Sequence, residues 1–568
     1  MMSSSGRRLL LACILSVAAL VAVAAPGTAS AASDLGKQCS GENIKGHGST
    51  FQAPILVKWA ADFNEVEGHA NKNAKACGGT QGSKGKPTVT YEHTGSNAGS
   101  GACLHGWGAE SSETLKYAEF PFCGTDEAPN ATQKGEIEKN KTSAEGSESE
   151  SLEEIPVLQG AVVAIVHLPE GCKAKSEITV KGVKTKLGRL VFDDTSLEGI
   201  FSGKVRSWKA LLANQAKTSK DPGSDALSCT GGTESTQSKE EEEKSEELHI
   251  IKYESEGKEV KLPKGEKATA AEEEAEIVTP VVRLDHSGTT HIFKSFLEQV
   301  DTEKLEMEAY PEEIGGKATG CHKALPEESE PWTSVSEACQ NQRWPTAAHI
   351  VRGTESGNPG VIKRVDQVQS TVGYADLAVA RELHYFSANC EKLPTECGGE
   401  NKPEEQNTKF WAEVQNSKTV SVSGFSDPST DGDVEAAENS RCKSTKFTDE
   451  AGKKFPPEST RKPWNEAKAE LTESEYSICG LTYDLALRQY GFYPGLDEVS
   501  EETLGKGEAN TVHDFLLWAL NTSKEGGGSL EKDTDYEKLP SAIIKEAEHG
   551  VEEIGYKKAG TKEAKEKT

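Results

Sequence analysis

Thr279-Pro280-Val281-Val282-Arg283-Leu284-Asp285-His286-Ser287-Gly288-Thr289-Thr290 runs from an apolar stretch through a charged pair into a turn of hydroxyls and glycine. The first four residues predict a short strand. Ile292, Phe293, Phe296, Leu297 and Val300 then recur at helical spacing and predict an amphipathic helix entered through Ser-Gly-Thr. Such an N-terminus offers backbone N–H groups, hydroxyls and the positive end of the helix dipole to an anion. Arg283 adds a planar fork of donors suited to oxyanions. Ser and Thr also cap many ordinary helices, so the stretch gains meaning only if other segments converge on the same point.

Three further segments have the same strand, loop and helix form. Gly46-His47-Gly48-Ser49-Thr50-Phe51-Gln52-Ala53-Pro54 precedes Ile55, Leu56, Trp59, Ala60 and Phe63 on one helical face, with Pro54 in a tolerated first-turn position. Val89-Thr90-Tyr91-Glu92 reads as a strand entering the glycine- and serine-rich run from Thr94 to Gly101. Tyr117 to Pro129 alternates up to Gly124-Thr125-Asp126, which puts Asp126 at the C-terminal end of a strand, the ligand-bearing edge of α/β sheets. Taken singly, these read equally as capped helices, a surface loop and an Asx-turn.

The apolar run from Ile155 to Val166 predicts a buried central strand. Ser370 to Ala378 reads as a strand leading into a helix, and a helix is expected around Phe410 to Asn416. Val512 to Leu520 and Pro540 to Ile554 are expected to be helical as well. Gly199 to Lys204 superficially suggests a P-loop, but it has three residues between the glycines and Val205 where Ser or Thr should hold magnesium. The stretch Gly353 to Val361 is rich in turn residues and has no role assigned from sequence.

The chain has 568 residues, room for two or more domains, yet only 35% are hydrophobic. With 64 basic and 92 acidic residues the net charge is -28, which argues against nucleic-acid or anionic-membrane partners. A small anion in a buried site is still compatible, because local hydrogen bonds and dipoles hold it. The N-terminus reads as an export signal: Arg7 and Arg8, an apolar run from Leu9 to Ala25, and Ala29-Ser30-Ala31 for cleavage. A lipoprotein box at Leu10 to Cys13 follows too few apolar residues to be preferred. Of 13 cysteines, Cys13 leaves with the signal and twelve remain, with no C-x-x-C pair and no zinc-ligand spacing. Disulfides are expected, with connectivity left open. Residues about 214 to 276, with Lys239 to Lys244 enclosing four glutamates, read as a solvated acidic insertion.

Several of these segments, in order over roughly residues 44 to 555, resemble the PstS family of substrate-binding proteins of bacterial phosphate ABC transporters. The resemblance rests on residues 46–54 with Lys58-Trp59-Ala60, on 94–101, on Phe122 to Pro129, and on Pro156 to Ala164. It continues through Leu197 to Lys204, Arg283 to Thr290, Gly373 to Ala378, Phe515 to Ala519 and Tyr536 to Pro540. It implies a two-lobed α/β periplasmic-binding-protein fold of type II, here with long polar insertions. The expected organisation is a signal peptide 1–31, lobe 1 over 32–155 and lobe 2 over 156–372. A return to lobe 1 over 373–555 with cysteine-bearing insertions and a charged tail over 556–568 follow.

By position, the resemblance implies a phosphate site of Thr50, Phe51 (through its backbone N–H), Ser96 and Asp126 from one lobe. Arg283, Ser287, Gly288 and Thr289 come from the other, with Asp285 supporting Arg283. His286, Leu284 and His47 depart from the family's usual residues, and His286 has no assigned role. A dehydrated phosphate is mostly acceptor and needs many donors. At neutral pH it keeps a proton that Asp126 can accept, whereas sulfate would meet repulsion there. The function implied is an exported, monomeric receptor for inorganic phosphate that closes on its ligand and delivers it to the membrane permease of an ABC transporter, with no metal and no cofactor. A secreted adhesion or scavenging protein reusing the fold is the alternative. A phosphatase is disfavoured, because neither a G-x-S-x-G turn nor a cluster of metal ligands is present.

Overall fold

The computed structural model describes the chain from residue 39 to residue 556. It leaves out the main stretches 65–86, 96–119, 136–151, 209–226, 230–276, 308–341, 386–407, 416–463, 493–504 and 530–534, save for short pieces within some of them, and scattered residues that include Thr94 and His286. The expected signal peptide, Cys13, Ser96, His286 and the charged tail beyond Tyr556 lie outside the described residues, as does nearly all of the acidic insertion.

The strands that organise the molecule are β1 (Ile44–Gly48), β2 (Val89–His93), β3 (Phe122–Thr125), β4 (Leu152–His167), β5 (Thr279–Val282), β6 (Val351–Arg352), β7 (Thr371–Asp376), β8 (Lys409–Gln415) and β9 (Cys479–Leu487). They belong to one eleven-stranded sheet, in the order β6-β5-β7-β4-β9-β3-β1-β2, with β8 also paired to β4. Within it β1 lies parallel between β2 and β3, and β5 lies parallel between β6 and β7. An antiparallel strand flanks each trio: β9 beside β3, and the C-terminal part of β4 beside β7. The sheet thus has two halves of matching order, and β4 runs through both. Its residues Leu152 to Ala161 pair with β9, and Val162 to His167 pair with β7.

Helices follow the parallel strands β1, β5, β6 and β7: α1 (Ala53–Phe63) after β1, α3 (Gly288–Val300) after β5, α4 (Asn358–Gln367) after β6 and α5 (Leu377–Glu382) after β7; α2 (Asp194–Ser202), α6 (Lys506–Leu520) and α7 (Ser541–Glu552) lie elsewhere in the chain. Every residue of β4 is buried, which explains why Ile155 to Val166 carries apolar residues on both faces rather than alternating with polar ones. Pro156 sits inside this central strand because the pairing with β9 shifts there: Tyr483 faces Pro156 while Thr482 faces Leu158. A bulge at that point accommodates a residue that has no N–H to give the ladder.

Each half has its own aromatic core. Phe63, Phe122, Phe515 and Trp518 pack together in the first, with Phe63 edge-on to both Phe515 and Trp518. Phe201, Phe293, Trp344 and Tyr374 do so in the second, where Phe293 stacks on Tyr374 at 4.5 Å. Together with the central strand these clusters account for the strands and helices expected at 279–300, 370–378 and 512–554.

One element differs from expectation. Residues 409 to 415 form strand β8, not a helix, pairing Lys409 to Ala412 with the end of β4. Phe410, Trp411 and Val414 fit either period over so short a run. An open edge of β4 and the strand preference of aromatic residues decide for the sheet. This strand lies past residue 373, where a return to the first half was expected, yet it still pairs with the C-terminal half of β4. Gly203 follows α2 with φ +81, a helix-ending conformation, and Lys204 bonds Asp301 at 2.5 Å. Gly199 to Lys204 is therefore a helix terminus. A disulfide joins Cys442 to Cys479 at the start of β9, and Cys39, Cys123 and Cys172 are also disulfide-bonded. Among the described residues no helix is long and apolar enough to cross a membrane.

Candidate functional site

In the first half the loop between β1 and α1 is held against the end of β3. Ser49 N–H donates to Gly124 O at 2.9 Å, and a Cβ on Gly48 (φ +146) would lie 2.0 Å from that same oxygen. Only glycine permits this approach. It brings Ser49 Oγ to Asp126 Oδ1, 2.6 Å away, while Ser49 Oγ itself accepts Phe51 N–H at 2.9 Å. Thr482 on β9 places its hydroxyl 3.0 Å from the same carboxylate oxygen and 2.6 Å from Gln52 Oε1. Gln52 Nε2 in turn donates to Asp484 Oδ1 at 3.0 Å. Burial pushes the Asp484 carboxyl up to about 8, against the opposing hydrogen bond from Gln52.

In the second half Arg283 follows β5 and is only 2% exposed. Its Nε and Nη2 grip Asp285 in a two-pronged pair at 2.9 and 2.6 Å, which fixes the guanidinium plane and balances its charge. Its Nη1 faces Thr289 Oγ1 and Asn358 Oδ1, each at 3.4 Å. Ser287 caps α3, its side chain accepting Thr290 N–H at 3.3 Å. The N–H groups of Gly288 and Thr289 open the helix, without partners from within it. Behind them Thr290 Oγ1 lies 2.6 Å from Tyr374 OH, which also accepts Arg283 N–H at 3.3 Å. Burial above all raises the Tyr374 phenol to about 12, so it stays neutral.

The two halves touch through these loops. Asn358, first residue of α4, donates its N–H and its Nδ2 to Thr50 Oγ1 at 3.3 and 3.4 Å. Within the second half, Gly357 N–H donates to Asp285 Oδ1 at 3.0 Å. A Cβ on Gly288 would fall within 2.7 Å of the Asp126 backbone and Cβ, and one on Gly95 would lie 2.7 Å from Asp285 Oδ2. Three helix N-termini, those of α1, α3 and α4, therefore meet around one buried arginine and one buried aspartate.

Thr50, Phe51, Asp126, Arg283, Asp285, Ser287, Gly288 and Thr289 all lie in this cluster. One detail differs from expectation: the Phe51 N–H is taken up by Ser49 Oγ, and the Phe51 carbonyl receives the Tyr536 hydroxyl. His47 stacks on Phe120 with ring centroids 4.5 Å apart and lies 3.8 Å from Glu92. Sequence reading assigned no site role to Asn358, Ser49, Gly95 or Gly357. The signal for Asn358 was available, since Gly357 before it and Pro359 after it mark a helix start. Chemically, the cluster offers a fixed guanidinium, hydroxyls and helix N-termini as donors, with Asp126 as an acceptor among them. Among the described residues no group of three or more His, Cys, Asp or Glu side chains is placed to hold a metal ion.

No protein-family model matches the chain, and neither does the sequence of any curated protein. Its fold is similar to those of solved phosphate-binding proteins. A phosphate-binding protein from Stenotrophomonas maltophilia shares 15% identity at a TM-score of 0.42, over 89% of this chain and 93% of that one. A high-affinity periplasmic phosphate-binding protein, PfluDING, bound with phosphate, shares 15% identity at a TM-score of 0.41, over 89% and 92%. A human phosphate-binding apolipoprotein shares 14% identity at a TM-score of 0.42, over 89% and 93%. These are likenesses of overall arrangement, at identities and TM-scores too low to carry residue roles from one chain to another.

Proposed function

We propose that this protein is an extracytoplasmic receptor for inorganic phosphate, which it holds between the halves of its sheet and delivers to the permease of an ABC transporter. The observation that carries the reading is the meeting of the Arg283 guanidinium and the Ser287-Gly288-Thr289 helix start with Asp126 across one buried seam. An oxyanion needs donors from several directions, and Arg283, Thr50, Thr289 and the α3 N-terminus supply them. Asp126 adds the selective element: it accepts the proton that phosphate retains near neutral pH and repels an anion that has none. Asp285 orients Arg283 and balances its charge. Contacts such as Thr50 with Asn358 and Asp126 with Gly288 would form only when the halves close, so binding and closure are one event, and a permease can read the closed shape. Nothing in this chemistry calls for a bond to be broken; the site is one for binding and release.

The test is isothermal titration of the chain from residue 32 onward with phosphate, arsenate and sulfate. Phosphate should bind with Kd at or below about 1 μM and sulfate at least about a hundredfold more weakly. No heat of binding with phosphate, or equal affinity for sulfate, overturns the reading. The transport role is tested separately by phosphate uptake in cells carrying or lacking the gene.

A further inference from the structure

Asn358 is fully buried, and its side chain touches residues from both halves without itself carrying charge. Its Oδ1 faces Arg283 Nη1 and the N–H of Asp376, both at 3.4 Å. A guanidinium and a backbone N–H can only donate, so the amide oxygen must point to them. That fixes the amide's orientation by chemistry, and its Nδ2 must point the other way. There it meets Thr50 Oγ1 and Thr289 Oγ1, again at 3.4 Å each. Both hydroxyls must then accept from it. Thr50 Oγ1 also accepts Asn358 N–H at 3.3 Å, and Thr289 Oγ1 also accepts Arg283 Nη1 at 3.4 Å.

A threonine hydroxyl has two acceptor sites and one proton. With two donors already turned toward each of these oxygens, each hydroxyl has only its proton left to offer. We infer that Asn358 is a positioning residue that sets the hydrogen-bond polarity of the seam, compelling Thr50 in one half and Thr289 in the other to act as donors to a bound oxyanion. The inference rests on the phosphate reading above and adds to it the reason why two hydroxyls, which can bond in either sense, serve one sense only. The residue works through the two threonine hydroxyls, and it ties their polarity to closure, because Thr50 and Asn358 belong to opposite halves.

The experiment is titration of the mature chain with inorganic phosphate in four variants: Asn358→Ala, Asn358→Asp, the pair Thr50→Val with Thr289→Val, and that pair combined with Asn358→Ala. Asn358→Asp replaces a donor by acceptors, turns both hydroxyl protons inward and should lower affinity at least about a hundredfold; Asn358→Ala should lower it about tenfold. In the Thr50→Val, Thr289→Val background Asn358→Ala should cost nothing more, since the groups it acts through are gone. A merely structural role would instead give the same loss in both backgrounds and overturn the inference. Unchanged affinity in Asn358→Ala, with binding abolished by Arg283→Ala, overturns it while leaving the phosphate reading intact. Absence of phosphate binding by the unmodified chain overturns both. If Asn358→Asp does not fold, the comparison of Asn358→Ala in the two backgrounds decides.

Discussion

The two halves of the sheet follow the same course and end in different chemistry. In each, the first strand lies between the second and third, and a helix N-terminus follows it. In each, the loop after the second strand crosses the seam on a glycine with positive φ: Gly95 (φ +127) reaches Asp285, and Gly357 (φ +87) reaches Thr50. In each, a buried aspartate stands at the end of the third strand. Yet Asp126 is bonded by the Ser49 and Thr482 hydroxyls at the seam, whereas Asp376 caps α5 through Val379 N–H at 2.9 Å. Burial, more than any neighbour, holds the Asp376 carboxyl well above the usual range. The only counterpart to Arg283 at the start of α1 is Ser49, a neutral hydroxyl. The architecture therefore supplies two equivalent loop positions, and single residues give one half a buried guanidinium and the other a buried carboxylate held by hydroxyls.

The sharpest way to break this contrast is Arg283→Ala. It removes the seam's buried guanidinium and leaves Asp285 without its partner, so phosphate affinity should fall at least about a hundredfold in titration and the midpoint of thermal unfolding should drop. Retained affinity would show that the halves do not differ in the way described. Gly288→Ala comes next. Its Cβ would press into the Asp126 backbone at 2.6 Å, and the halves must part to admit it. Overpacking of this kind costs about 1–3 kcal/mol, so affinity should fall about tenfold or more with the unfolding midpoint little changed. Asp126→Asn should act on selectivity rather than on total affinity, bringing sulfate about tenfold closer to phosphate; an unchanged ratio would remove the selective role from the first half.

The smallest effect is expected from Asp484→Asn, behind the site. Asp484 has a folded-state value raised to about 8 from an ordinary 3.8, so the folded chain holds a proton that the unfolded chain releases. Its contribution is thus favourable at low pH and is lost progressively as pH rises from about 4 to about 8. Asp484→Asn, which keeps an acceptor for Gln52, should flatten that part of the stability profile in denaturant titrations. An unaltered slope would mean that Asp484 is ionised in the fold.

Much of this was legible in the sequence because it is local. A strand, a glycine-bearing turn and an amphipathic helix are each written within a dozen residues, and so Arg283, Ser287 and Asp126 could be placed at the ends of their strands. Asn358 was not found because its role depends on what faces it, and Thr50, 308 positions away, is invisible to any local pattern. Residues 409 to 415 were misread for a related reason: an apolar run that short takes its period from the strand it pairs with, here the end of β4. The Phe51 N–H bonds the neighbouring Ser49 hydroxyl here, a choice that only distance decides.

The 16 residues of β4 have a mechanical consequence. Because one uninterrupted strand is a member of both halves, the halves cannot swing as plates on a slack tether. Any change of angle between them is torsion stored in a hydrogen-bonded ribbon, greatest where its partner changes from β9 to β7 at Ala161 and Val162. Such a torsion bar resists and returns. It would give the molecule an elastic bias toward one posture, and the amides around Ala161 and Val162 are where hydrogen exchange would register the strain.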